Sequence, residues 1–182
     1  DFRGSDFPPE LRLSKSFQDL EASISWLMYH ELAHANDFFP SDSWADISEQ
    51  SSPLGYANTE PADSVDFSQS HPLASEALKG LAQVSFAGAT ATQAQKDYSV
   101  AQASSAFSSD NAAAFYSYST EREDYATLFE RFMMAYRLGV SSDVAVVSQL
   151  NNDDLIVSWG QRDRINDPML QSRVKYVVNR VL

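Results

Sequence analysis

Apolar residues near the start of the chain recur at helical spacing: Phe17, Leu20, Ile24, Leu27 and Met28 fall on one face of a 3.6-residue repeat. Ser16, with Asp19 three residues on, makes a capping-box-like start, and Pro40 stops the run. A second helix is predicted across Ser119 to Gly139, with a Ser/Thr start, a Gly stop, and Leu128, Phe129, Phe132, Met133 and Tyr136 on its buried side. Residues 72 to 86 and about 92 to 107 read as Ala-rich helices, Pro72 suiting a first helical position with Ser70 or His71 as cap. Asp167-Pro168 opens a last helix whose Leu170, Val174, Val177, Val178 and Val181 pack inward.

Strand signals are few. Val144 to Val147 is the convincing one, Ile156 to Trp159 a second, and Leu11 to Leu13 a short third within the extended lead-in of residues 1 to 15. The Ser/Asp/Pro/Gly-rich stretch from about 40 to 70 reads as a connection with one short helical piece around Ser43 to Ile47. It follows the first helix directly, so it either walls a cleft or is plain surface loop. Ser104 to Asn111 reads as a small-residue loop. The pattern predicts a mainly α domain, α+β at most, with few short strands, and residues 1–182 as a single domain.

Composition narrows the partners. At 182 residues and 43% hydrophobic, the chain can bury a proper core. A formal charge of -12 argues against nucleic acid and anionic membranes, which need clustered Lys and Arg, and disfavours acidic substrates. No run of about 20 apolar residues is present to insert in a membrane. Without cysteines there is no disulfide framework and no Cys-ligated metal, and compartment stays open, a secreted or cell-envelope setting being slightly favoured over the cytoplasm. A first residue that is not Met suggests a processed, trimmed or partial chain. Oligomeric state is not legible.

The candidate chemistry lies on the first helix. His30, Glu31 and His34 spell H-E-x-x-H, and they include two of the three histidines in the chain. Positions i and i+4 project from one face a turn apart, so both imidazoles can reach one cation. Glu31 sits about 100° around the helix, off the ligand pair but within reach of a water beside the metal. A structural zinc site closes with four protein ligands and needs no such acid, whereas hydrolysis needs a carboxylate to take the water proton. The bland alternative is an amphipathic helix with two surface histidines and an incidental Glu.

A catalytic zinc needs a third protein ligand. The metzincin continuation is excluded, because Asp37 and Pro40 stand where it requires Gly and then His or Asp. The second helix offers the best candidate. Glu123 lies in its first turn, Ala126 and Thr127 follow on the same face and are small enough for the first helix to approach, and Glu130 comes at i+7. Glu121, Asp124 and His71 are the alternatives. The structural alternatives are Glu123 as a capping-box partner of Thr120 and His71 as a surface cap. Arg162 and Arg164 read as solvated loop charges paired with Asp163 or Asp167, or as a substrate-carboxylate site.

His30-Glu31-Leu32-Ala33-His34-Ala35-Asn36-Asp37 resembles the H-E-x-x-H-A-x-D form of gluzincin-type zinc peptidases related to the catalytic domain of anthrax lethal factor. Glu123-Asp124-Tyr125-Ala126-Thr127-Leu128-Phe129 is similar to that group's second motif. The resemblance covers residues 23 to 39 and 115 to 138, less than a quarter of the chain. It implies a zincin-like fold, zinc held by His30, His34 and Glu123, Glu31 as general base, and a Tyr that hydrogen-bonds the tetrahedral intermediate. Tyr116, seven residues before Glu123, fits that place better than Tyr118, five before. The chain departs from the group at Thr127, where an acidic residue would orient a ligand imidazole; Thr127 itself, Asp37, Asp124 or Glu130 would take that task.

The group usually places a sheet before the catalytic helix. Here at most 16 residues precede it, so the sheet is expected to be small, lost with an N-terminal part, or supplied by another chain. The expected function is a zinc-dependent metallopeptidase acting on peptide or protein substrates. A zincin-like binding or scaffold domain without turnover, and a helical interaction domain with a chance motif, stay as alternatives.

Overall fold

The computed structural model describes residues 16–48, 52–59, 62–149 and 155–182. The strand expected at Leu11 to Leu13 lies outside them. Among the described residues the chain is mainly α, with helices α1 (Phe17–Phe38), α2 (Pro53–Thr59), α3 (Asp63–Ser70), α4 (Glu76–Phe86), α5 (Gln93–Lys96), α6 (Val100–Ser108), α7 (Glu121–Leu138) and α8 (Gln171–Val181). One antiparallel hairpin, β1 (Val144–Gln149) and β2 (Leu155–Gln161), stands between α7 and α8. Val144 pairs with Gln161 and Val146 with Trp159, and a bulge follows Val146.

The two long helices start and stop as their sequences direct. Ser16 accepts from the Asp19 N–H while the Asp19 carboxylate accepts from the Ser16 N–H, which closes the capping box of α1. Thr120 caps α7, and Gly139, at φ 63°, ends it by returning its N–H and that of Val140 to Ala135 and Met134. α1 and α7 pack together through small residues. Ala33 and Ala126 are fully buried and Thr127 nearly so, and this close approach holds the polar face of α1 against the first half of α7.

Around that contact lies the main core, in which Phe67 of α3, Tyr125, Leu128, Phe129 and Met133 of α7, and Leu170, Val174 and Val177 near the C-terminus pack together. A second cluster gathers Leu73, Leu78, Ala82, Phe107, Ala112 and Tyr118 under the inner face of the hairpin. Two buried arginines stitch these layers. Arg173 of α8 donates to His71 O (3.2 Å) and Asn111 O (2.7 Å) and pairs with the Asp124 carboxylate, which fixes the first turn of α7. Arg164 donates to Ala112 O (2.7 Å) and Phe107 O (3.2 Å).

The stripe Phe17, Leu20, Ile24, Leu27 and Met28 faces outward, from 48% exposed at Leu20 to 80% at Phe17, and α1 buries Ala33 and Asp37. Several expectations change. Tyr136 also lies outside, stacked on Phe132. The connection between residues 40 and 70 contains a 3-10 turn (Ser41–Asp46) and two helices. α3 escaped the sequence reading because its cap is remote: Ala62 has no capping side chain, and Asp37 of α1 accepts from the Ser64 N–H at 2.6 Å. α4 begins at Glu76 with Ser75 as cap, four residues later than Pro72 suggested. The stretch expected as one helix from 92 to 107 is two, α5 and α6, each opened by its own capping box, and α6 runs on into the expected small-residue loop. Arg164 is buried rather than solvated, because backbone carbonyls left by the turn after α6 need its donors. Arg162 is exposed as expected, 3.8 Å from Asp143.

Candidate metal centre

α1 and α7 run past each other so that the turn bearing His30 and His34 meets the first turn of α7. Three donor atoms converge there. His30 Nε2 and His34 Nε2 are 3.1 Å apart, and Glu123 Oε2 lies 3.0 Å from the first and 3.5 Å from the second. A tetrahedral zinc with bonds of about 2.0 to 2.2 Å sets its ligand atoms roughly 3.3 to 3.6 Å apart, so the triangle, with two edges a few tenths of an ångström short, is close to the size one ion requires. Among the described residues, this trio is the one group of three His, Cys, Asp or Glu side chains close enough to share an ion.

Glu130, two turns along α7 from Glu123, accepts from His30 Nδ1 at 2.8 Å. Each ring nitrogen of His30 therefore faces a carboxylate, Nδ1 that of Glu130 and Nε2 that of Glu123 at 3.0 Å, and a neutral ring with its proton on Nδ1 turns the Nε2 lone pair toward His34 and Glu123. Lone pairs at these separations repel unless a cation or a shared proton lies among them. Burial opposes charging His30, but the hydrogen bond and negative charge of Glu130, joined by Glu123, outweigh it and raise the pKa above the ordinary histidine value. Glu130 is thus the carboxylate that orients the His30 imidazole. Asp37 caps α3, Asp124 is locked to Arg173, and Thr127 is buried beneath α1 with its hydroxyl unpaired among the described residues.

The first turn of α7 separates the competing ligands. Thr120 Oγ1 accepts from the Glu123 N–H at 3.2 Å, yet the Glu123 carboxylate turns to the histidines instead of completing a capping box. Asp124 faces the core on the opposite side. His71 ends α3, its ring against Phe67 and Tyr176 and its Nδ1 2.9 Å from Ser70 Oγ, away from the trio.

Tyr116 and Tyr118 share a 3-10 turn (Phe115–Tyr118) ahead of α7. Tyr118 is buried and donates to Asp110 Oδ2 at 3.0 Å, which commits its hydroxyl to the core. Tyr116 is partly exposed beside the trio, its ring 6.3 Å from that of His30 and braced edge-on by Phe86. Burial raises its pKa, and the nearby Glu123, to which its hydroxyl bonds, raises it further, so the phenol stays protonated and able to donate. Glu31 projects into solvent on this side, where its charge reaches the Tyr116 hydroxyl.

In comparison with known proteins, no family profile, no curated protein and no solved structure matches this chain.

Proposed function

We propose that this protein is a zinc-dependent metallopeptidase of the gluzincin type. The observation that carries the reading is the triangle of His30 Nε2, His34 Nε2 and Glu123 Oε2, with edges of 3.0 to 3.5 Å, backed by Glu130 on the far nitrogen of His30. Two imidazoles and one carboxylate form the donor set of an open hydrolytic zinc site, which keeps its fourth position for water or substrate. A zinc held there would polarise a peptide carbonyl and make a water acidic enough to attack it near neutral pH.

The side chains divide the remaining work. Glu31, exposed next to the trio and free of the ligand set, accepts the water proton and passes it to the leaving amine. Tyr116 donates its O–H to the oxygen that gains charge as the carbonyl carbon becomes tetrahedral. Glu130 keeps the proton of His30 on Nδ1, so that Nε2 stays a ligand. The chain's negative charge favours neutral or basic peptides over acidic ones.

The scaffold reading draws on the outward stripe of α1, an apolar surface of the kind that binds a partner. Zinc content together with digestion of a broad peptide library separates the two. The peptidase reading expects one zinc per chain and cleavage; zinc without cleavage transfers the assignment to a binding domain.

A further inference from the structure

Beyond the trio, α1, α4, α6, α7 and β1 line a cavity of about 610 Å³ that opens to the surface. That volume lies in the range of small-molecule sites, about 300 to 1,000 Å³. Its wall is mostly hydrocarbon, from Leu78, Leu81, Phe107, Phe115, Met134 and Val146. One cation interrupts it. Arg131 of α7 lines the cavity, its side chain only 12% exposed and its guanidinium carbon 5.4 Å from the centre of the Trp26 ring. The Arg131 Nε–H has no hydrogen-bond acceptor among the described residues. Glu130 Oε1 stands 3.8 Å away, too far for a hydrogen bond, while the other oxygen of that carboxylate is engaged by His30. Asp143, the acidic residue on the rim, is exposed and paired with Arg162.

A buried donor without an acceptor is costly, and a guanidinium more so than most, because it cannot shed its charge. In a chain with 25 acidic and 13 basic residues, an arginine so placed is not short of acidic partners. Among the described residues Glu130 is the one that approaches it, at 3.8 Å, and it leaves the Nε–H unbonded between apolar walls. We propose that this cavity binds a small amphiphile with a single carboxylate, its hydrocarbon body among the apolar walls and its head on Arg131. Carboxylate geometry suits the fork of arginine donors, and the hydrocarbon part fills space that water occupies poorly.

Calorimetric titration with hexanoate, octanoate and decanoate, and with decanol and decyltrimethylammonium, tests the site, in zinc-free and zinc-loaded protein alike. One molecule of decanoate per chain is expected, with affinity rising about fourfold per added methylene and at least roughly tenfold over the cationic decyl compound. Arg131→Met should abolish the preference for decanoate over decanol, Arg131→Lys should keep part of it, and Ala103→Trp, which intrudes on the cavity wall, should weaken all three decyl ligands. No saturable binding, equal affinity for acid and ammonium, an unchanged acid preference in Arg131→Met, or binding that appears only with zinc would each overturn the proposal. Because the expected binding persists without zinc, its failure is distinct from failure of the peptidase reading.

Discussion

Glu130 Oε2 lies 2.8 Å from His30 Nδ1, across the imidazole from the nitrogen that faces Glu123 and His34. The pair joins the outer half of α1 to the middle of α7 and decides which ring nitrogen carries the proton. Removing the carboxylate frees the ring to rotate and to change tautomer. Glu130→Ala or Glu130→Gln should therefore weaken zinc binding by about 10- to 100-fold while leaving the three ligands in place. Competition against a chromogenic chelator reads this directly, and wild-type affinity in both variants would remove Glu130 from the site.

Neighbouring carboxylates on α7 should fail in different ways. Glu123→Ala removes a ligand and should lose zinc with little change in unfolding free energy of the zinc-free protein. Asp124→Ala leaves Arg173 buried without its partner and should cost about 3 to 5 kcal/mol, with the folded fraction still binding one zinc. Glu121→Ala should change neither quantity. Metal analysis paired with urea unfolding distinguishes the three; similar zinc loss in all of them would displace Glu123 as the third ligand.

Asp110 supplies a test of the core beneath Tyr118. Burial pushes its pKa up, but the N–H groups of Ala74, Ser75 and Asn111 and the Tyr118 hydroxyl outweigh this and hold it below the ordinary carboxylate value. A depressed folded pKa stabilises the protein at pH above the unfolded value, and that contribution is lost as the pH falls through the folded one. Asp110→Asn should cost about 2 to 3 kcal/mol at pH 7 and less at pH 3, as followed by urea unfolding. An equal cost at both pH values would show that the charge of Asp110 contributes nothing.

Legibility in the sequence followed the range of the signals. The capping boxes, Gly139 and the i, i+4 histidines are local, and the ends of α1 and α7 and the pairing of His30 with His34 could be read from them. Glu123 stood first among several acids because Ala126 and Thr127 share its face, but its convergence with the histidines depends on the packing of Ala33 against α7, which no single helix encodes. Glu130 stood among four candidates for the same reason. α3 was missed because its cap comes from Asp37, 27 residues earlier. The outward direction of the Phe17 to Met28 stripe could not be read, because periodicity reports that one face is apolar, and not which way that face turns.

Tyr116→Phe keeps the ring against Phe86 and His30 and removes only the hydroxyl. Zinc should stay bound, and peptide hydrolysis should fall by roughly 10- to 1000-fold with most of the loss in kcat, since the oxygen it serves carries charge only in the transition state. Tyr118→Phe should act on stability instead, because its hydroxyl serves Asp110. A loss of turnover in Tyr118→Phe at unchanged stability, with none in Tyr116→Phe, would exchange their roles.

Glu31 is the residue of the H-E-x-x-H stretch that a zinc ligand set does not need and a hydrolase does. Glu31→Gln keeps its size and exposure and removes the base. The decisive measurement is the rate of peptide cleavage by zinc-loaded wild type and zinc-loaded Glu31→Gln protein of equal metal content. Wild type should cleave measurably, and the rate should fall by about 10²- to 10⁴-fold in the variant. Equal rates in the two proteins, or no cleavage by zinc-loaded wild type, would contradict the peptidase reading.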